Sequence, residues 1–319
     1  PLPPDGARVA VVMPVCPEDP ARVCAGVQAM AEWLLRRGGE RCFEFFILSD
    51  TADPALGRAE ERCWLALRAE LRGRIAVHYR RRAENVGRKA GNIADFCRRW
   101  GGRYRYMVVL DADSVMSGAT LVRLVRRMEA EPRTGILQVL PVATGRDSLF
   151  ARITQFAGSL YGPLFAAGLA AWQRGEAQYW GHNAIVRVAP FAEHCGLPRL
   201  PGREPLGGEI LSHDFVEVGV VRRGRWEVRL VDWEGSWEEP PGTLIDHARR
   251  DRRWMQGNLQ HAWVVAARGI HPMSRLNLSV GIASYLSSPL WLLGTAAAAL
   301  AALPAAGPAP PLAQRGELV

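Results

Sequence analysis

Lysine is all but missing from this 319-residue chain: one, Lys89, stands among 40 basic residues, so arginine carries almost the whole net charge of +8. A basic balance admits nucleic acid, a membrane surface or acidic small molecules as partners. The arginines are scattered through predicted helices, with no aromatic-interleaved RNA motif and no basic tail, so nucleic acid is not the expected partner. Cysteine is sparse as well. The six, at positions 16, 24, 42, 63, 97 and 195, form no Cys-x-x-Cys pair and no zinc spacing. Several fall within helical or strand patterns, where a free Cys behaves as a small hydrophobe, and a reducing compartment is expected. No signal-peptide pattern is visible, but the chain begins at Pro1 rather than Met, so that absence excludes nothing. Charge is missing altogether from Leu276 to Ala313.

Hydrophobic residues make up 48% of the chain and charged ones 23%, which is the balance of a folded protein with a large core. The stretch Met107-Val108-Val109-Leu110-Asp111-Ala112-Asp113-Ser114 organises the reading. Its four apolar residues predict a short strand buried on both faces, and two carboxylates follow where that strand runs out. In open α/β sheets, ligands bind beyond the carboxyl ends of strands. Hard oxygen ligands at such a place suit Mg²⁺ or Mn²⁺ beside a diphosphate. The competing reading is that Asp111 and Asp113 cap the helix that starts near Gly118.

Strand and helix alternate over about 140 residues: strands at Arg8–Val15, Phe43–Ser49, Ile75–Tyr79, the Asp111 strand and Gly135–Pro141, with helices between them. The expected fold is α/β, a doubly wound, mostly parallel sheet with C-terminal helices. Arg80 to Arg82 are expected in a basic loop leading to the Lys89 helix. Gln178 to Val188 predicts a strand carrying a turn, and 196–208 a loop that is rich in proline and glycine. Residues 1–145 would form a donor-nucleotide half and 146–268 an acceptor half, with Ser148–Trp172 packed across the domain or lying at a membrane surface. The apolar segment 269–319 supplies a transmembrane helix, centred on Leu290 to Leu303, or else a buried or disordered tail. Arg268 and Arg275 at its N-terminal flank put the main domain on the cytoplasmic side of an inner membrane.

Four strand ends carry polar groups: Pro14, Cys16, Glu18 and Asp19 after the first, Asp50 after the second, Lys89 after the third, and Asp111 with Asp113 after the fourth. Asp50 alone reads as a ligand or as a helix cap. Lys89 stands where the chain elsewhere chooses Arg, which points to a site wanting a compact ammonium, or to a solvated surface lysine. Beside Gly87 and Gly91, at a helix start, free backbone amides favour phosphate.

Taken in order, Pro-x-x-x-Glu, Asp, Lys-Ala-Gly-Asn, Asp-x-Asp, a later acid and an Arg-Trp pair resemble processive family 2 glycosyltransferases of the cellulose synthase type. The resemblance covers about residues 8 to 267. YWGHNAI (179–185), LSHDFVE (211–217) and RDRRWMQGNLQH (250–261) look most like the branch of that family that builds osmoregulated periplasmic glucans. By position, it implies a uridine pocket at Pro14, Glu18 and Asp50, and Lys89, Gly91 and Asn92 beside the diphosphate. It further implies that Asp111 and Asp113 hold donor and metal, that Asp214 is the general base, and that Trp180, Gly181, His182 and Asn183 flank the acceptor. Arg253 and Trp254 match the end of the family's Gln-x-x-Arg-Trp motif, Trp254 on the acceptor side. The sequence departs from the pattern at Ser212-His213-Asp214, for Thr-Glu-Asp, and at Arg250, for Gln. Arg250 and Arg253, three apart on one helix face, are placed to meet phosphate.

The resemblance implies an inverting, divalent-cation-dependent transfer of glucose from UDP-glucose to a growing β-glucan. The alternatives are another sugar or polymer, a non-catalytic nucleotide-sugar sensor, and a metal nucleotidyltransferase. The last leaves Asp214 and Arg253-Trp254 unused.

Overall fold

The computed structural model describes residues 7–39, 41–194 and 196–302. Cys195 and the tail beyond residue 302, including Leu303, lie outside the described residues. The chain starts with β1 (Val9–Val15), α1 (Pro20–Leu35), β2 (Phe43–Ser49), α2 (Pro54–Glu70), β3 (Ala76–Arg81), α3 (Arg88–Trp100) and β4 (Tyr106–Val109). There follow β5 (Val115–Met116), α4 (Gly118–Ala130), β6 (Thr134–Val139), β7 (Val142–Ala143), the long α5 (Leu149–Gln173), β8 (Ala184–Arg187) and α6 (Val188–His194). Then come α7 (His213–Arg223), β9 (Glu227–Val231), β10 (Ser236–Glu238), α8 (Leu244–Val265) and α9 (Pro272–Ala302).

Seven strands form one sheet in the order β3-β2-β1-β4-β8-β6-β9. All run parallel except β8, which is antiparallel to both neighbours. The inner strands each feed two cores. Along β1, Val9, Val11, Met13 and Val15 pack on the side of α1, α2 and α4, while Ala10 and Val12 pack with α3, α6 and α7. That double burial is why the strands read as unbroken apolar runs. Helix starts follow local chemistry. Asp19 and Asp53 each accept a hydrogen bond from the backbone two residues on, with Pro at the first helical position.

This topology brings the carboxyl ends of β1, β2, β3, β4, β6 and β9 to one edge. Because β8 is reversed, its start arrives at the same edge. Val109 pairs with Ala184 in the β4–β8 ladder, so the residues just past β4 lie opposite those just before β8. A second, three-stranded sheet, β5-β10-β7, stands beside that edge.

Several expectations shift. β3 continues through Arg80 and Arg81, which pair with Leu48 and Ser49, so these arginines are strand residues rather than loop. YWGHNAI forms strand only from Ala184, because Gly181 and Asn183 adopt φ of 83° and 51°, outside any ladder. The two- and three-residue strands β5, β7 and β10 are too short to show alternation. The last helix starts at Pro272, well before the apolar centre, since Ser274 and Leu278 are buried against the domain. It runs on through Pro289 for 31 residues and is long and apolar enough to cross a membrane. α5 also carries exposed apolar groups, among them Phe156, Leu160, Leu164, Phe165 and Trp172.

Candidate active site

The acids after β4 do not cap α4. Ser117 does, accepting from Thr120 N at 3.1 Å, so Asp111 and Asp113 are left for other work. Asp50 is likewise no cap, since Asp53 fills that role for α2. The Asp50 carboxylate instead receives a two-pronged bond from Arg82, Nε to Oδ1 and Nη2 to Oδ2, both 2.6 Å. Nor is Lys89 a free surface lysine. Its ammonium donates to Asp111 Oδ1 across the sheet edge. Burial raises the Asp111 carboxyl, but Lys89 and His182 outweigh it and hold it down at about 2.

One backbone amide ahead of α3 is already taken. Gly87 N donates to Glu209 Oε1 at 2.9 Å, and Arg88 Nε lies 3.2 Å from Glu209 Oε2. The 196–209 loop that presents Glu209 is fastened to α8 by Gln260, whose amide contacts the carbonyls of Pro205, Gly207 and Glu209. Asn92 is fully buried. It donates to Leu48 O and accepts from Arg80, so it braces β2 against α3 rather than facing the edge. A Cβ on Gly91 would meet Val86 O at 2.0 Å, so glycine there lets the Lys89 loop fold onto its helix.

Four carboxylates crowd the same edge. Partial loss of water and the charges of Asp113 and Asp111 raise Glu18, against Arg22. Burial and Asp111 raise Asp113. Burial raises Glu238, with Asp113 and Asp111 adding to it and His182 opposing. Hard oxygen donors with mutual repulsion are chemistry a divalent cation relieves. No three His, Cys, Asp or Glu side chains among the described residues converge as a complete metal cage. That fits Mg²⁺, which takes one or two carboxylates and fills its shell with phosphate and water.

From the opposite strand, His182 Nε2 lies 3.9 Å from Asp111 Oδ2 and 3.5 Å from Glu238 Oε2. Trp180 and His182 are half-buried at this edge. Their bend is held by the buried Gln138, which accepts from Trp180 N at 3.0 Å and donates to His182 O at 2.9 Å. Asn183 is buried, donating to Ser236 Oγ at 2.8 Å and so fastening the start of β8 to β10, with its Oδ1 3.2 Å from His182 Nδ1. Gly181 lies against Asp214, whose Cβ would sit 3.4 Å from an added methyl. Asp214 is in the first turn of α7, where the helix N-terminus favours a carboxylate. Burial raises it, the His213 charge lowers it, Glu217 raises it and Lys89 lowers it. The field of Lys89 thus acts on Asp214 as well as on Asp111, although their chain positions are far apart.

On α8, the Arg250 guanidinium stacks over Trp254 at 4.6 Å. Burial lowers Arg250, while Glu238 and Asp113 oppose that, so it reaches toward the acids. Arg253 and Trp254 are exposed on the same helix. Arg249 pairs with Asp246 at 3.3 Å on the outer face. Pro14 is half-buried, Glu18 exposed, and Cys16 donates to Asp50 O at 3.4 Å.

Sequence reading missed Glu238, Glu209, Arg82 and Gln138. Glu238 sits on a three-residue strand with no pattern of its own, and Gln138 is hidden in an apolar run. Arg82 was one arginine among many.

The sequence model for Glycosyl transferase family group 2 matches residues 106–308. The protein named "Glucans biosynthesis glucosyltransferase H" of Pseudomonas paraeruginosa is 54% identical over 286 residues, 89% of this chain and 33% of the relative. Those of the same name from Ralstonia nicotianae and Cupriavidus pinatubonensis are 54% and 55% identical over 291 and 294 residues. They are covered over 91% and 92% of this chain and 34% of each relative. The chain spans about a third of the length of the curated relatives it matches. With a family match across well over half its residues, the chain belongs to glycosyl transferase family group 2.

Proposed function

We propose that this chain is the catalytic region of a membrane-bound, inverting glucosyltransferase that moves glucose from UDP-glucose to a growing β-glucan at the cytoplasmic face of an inner membrane. The observation that carries this reading is the bend at Trp180–His182, which sets His182 Nε2 3.9 Å from Asp111 Oδ2 while Gly181 lies against Asp214. One short segment thereby links an acid beyond β4 to a separate, helix-borne carboxylate. The names of the relatives support glucose as the sugar and a glucan as the product.

In this reading Pro14, Glu18 and Asp50 line the uridine pocket, and Lys89, Arg250 and Arg253 face the diphosphate. Asp111 and Asp113 would hold Mg²⁺ or Mn²⁺, which would offset the charge that develops on the departing diphosphate. Gly91, Asn92 and Asn183 keep these groups in place from below. Trp180, Gly181, His182 and Trp254 border the acceptor. Asp214 takes the proton from the acceptor hydroxyl as its oxygen bonds C1 of glucose. The C1–O bond to the diphosphate breaks at the same time, and UDP leaves with the electron pair. Attack from the face opposite the leaving group inverts the anomeric centre, and the leaving diphosphate needs no protein acid. α9 is the membrane anchor, and the exposed apolar residues of α5 rest on the same bilayer.

The test is UDP release from UDP-glucose by membranes carrying the full-length protein. Asp214→Asn is expected to lower turnover by about 10²–10⁴, the worth of a general base, while leaving UDP binding unchanged. Turnover within tenfold of wild type would remove the base from this reading.

A further inference from the structure

Behind Asp214 lies an ionisable pair to which the proposed reaction gives no task. Glu217 is 2% exposed, and among the described residues no hydrogen-bond donor reaches either of its oxygens with good geometry. The group near it is His213, one helical turn back, with Nδ1 3.1 Å from Oε1. The nearby Tyr179 hydroxyl is also buried and unpartnered. A lone buried carboxylate is costly, and a counter-charge on the adjoining imidazole is what offsets it. Burial lowers His213, but the charge of Glu217, 3.1 Å away, outweighs it and raises it. The rest of the surroundings agree. Asp214 favours a charged imidazole, and Lys89, from α3, opposes it. His213 in turn acts on Asp111, from beyond β4.

The start of α7 is held rigidly. Ser212 O is 3.0 Å from His261 Nε2, and a Cβ on Gly257 of α8 would come within 2.2 Å of Ser212 Oγ. A charge on His213 therefore keeps a fixed relation to the next residue.

We propose that His213, held by Glu217, is a positioning residue that keeps a fixed positive charge beside Asp214, so that this carboxylate stays ionised among its acidic neighbours. The role rests on Asp214 being the base. The pair supplies a cation without adding a net charge to the pocket.

The experiment is the pH dependence of kcat for UDP release by the full-length protein in membranes. The variants are His213→Gln, the double variant His213→Gln/Glu217→Gln and Asp214→Asn. His213→Gln is expected to move the acid limb to higher pH by half a unit or more, roughly a threefold loss on that limb, with KM for UDP-glucose unchanged. The double variant removes both buried charges, which guards against misfolding, and is expected to move the limb in the same direction by less. An acid limb that stays put in both variants, whether or not kcat falls, overturns the proposal and leaves the pair a packing element. If Asp214→Asn is inactive while the limb stays put, this inference alone fails. If Asp214→Asn turns over normally, the base assignment fails and takes this inference with it.

Discussion

Removing Arg82 probes the carboxyl edge of the sheet most directly. Its fork meets both oxygens of Asp50 at 2.6 Å, and the two side chains are only 10% and 3% exposed. The same guanidinium donates to the carbonyls of Val86 and Arg88, at 2.9 and 3.0 Å, and so ties down the loop ahead of Lys89. Arg82→Ala leaves a carboxylate buried without a partner, a loss of about 3–5 kcal/mol when one member of a buried pair is deleted. At about 2 °C per kcal/mol for a chain of this size, the melting temperature of the detergent-solubilised protein should fall by roughly 6–10 °C. Asp50→Asn in the Arg82→Ala background should recover part of that loss, with a coupling of roughly 1–3 kcal/mol. Arg82→Lys keeps the charge but not the fork, and should behave more like the alanine variant than like wild type. Thermal unfolding of the four members of the cycle decides it. A loss below about 1 kcal/mol for Arg82→Ala, the value of an exposed pair, would refute the reasoning, as would strictly additive effects.

Two further perturbations test other parts of the molecule. Glu44 accepts from Tyr104 at 2.7 Å, meets His78 at 2.9 Å and is bonded by Arg8. Burial raises this carboxyl, but Tyr104, Arg8 and His78 bring it down to about 2. Its contribution, at most about 3 kcal/mol, is therefore complete above the ordinary carboxylate range and disappears as pH falls through about 2. Glu44→Gln should destabilise the protein at neutral pH, with the gap to wild type closing in acid, as read by unfolding at a series of pH values. A gap independent of pH would sink this account. At the acidic cluster, Asp113→Asn is expected to raise the Mn²⁺ or Mg²⁺ concentration needed for half-maximal UDP release by at least about 10–100-fold. Chelation should abolish turnover in the wild type, and activity of the chelated wild type would exclude the cation.

The alternating half of the fold was legible because its inner strands are buried on both faces, so β1 and β2 fall where the apolar runs predict, and α4 starts at Gly118 as expected, though Ser117 caps it. Lys89 was legible for a different reason: one ammonium in an arginine-rich chain marks a site, and it is bonded to Asp111. Contacts made across the sheet could not be read. Asn92 and Asn183 belong to suggestive motifs, but their side chains turn inward to Leu48 O and Ser236 Oγ, and no local pattern reports that. Glu209 is legible only as a loop acid until the fold carries it to Gly87. The Glu217 partner of His213 was within reach of sequence reading, since residues four apart share a helix face.

The single reversed strand, β8, has a cost in assembly as well as a benefit in placement. β4 and β6 each present an open row of amides and carbonyls until Ala184–Arg187 slides between them, and that insert is made after the whole of α5. A fragment cut between β6 and β8 would bare two inner ladders at once, the kind of unpaired edge that invites aggregation. The centre of the sheet is thus closed by a late, long-range pairing, the kind that slows folding, and it ties β3-β2-β1-β4 to β6-β9.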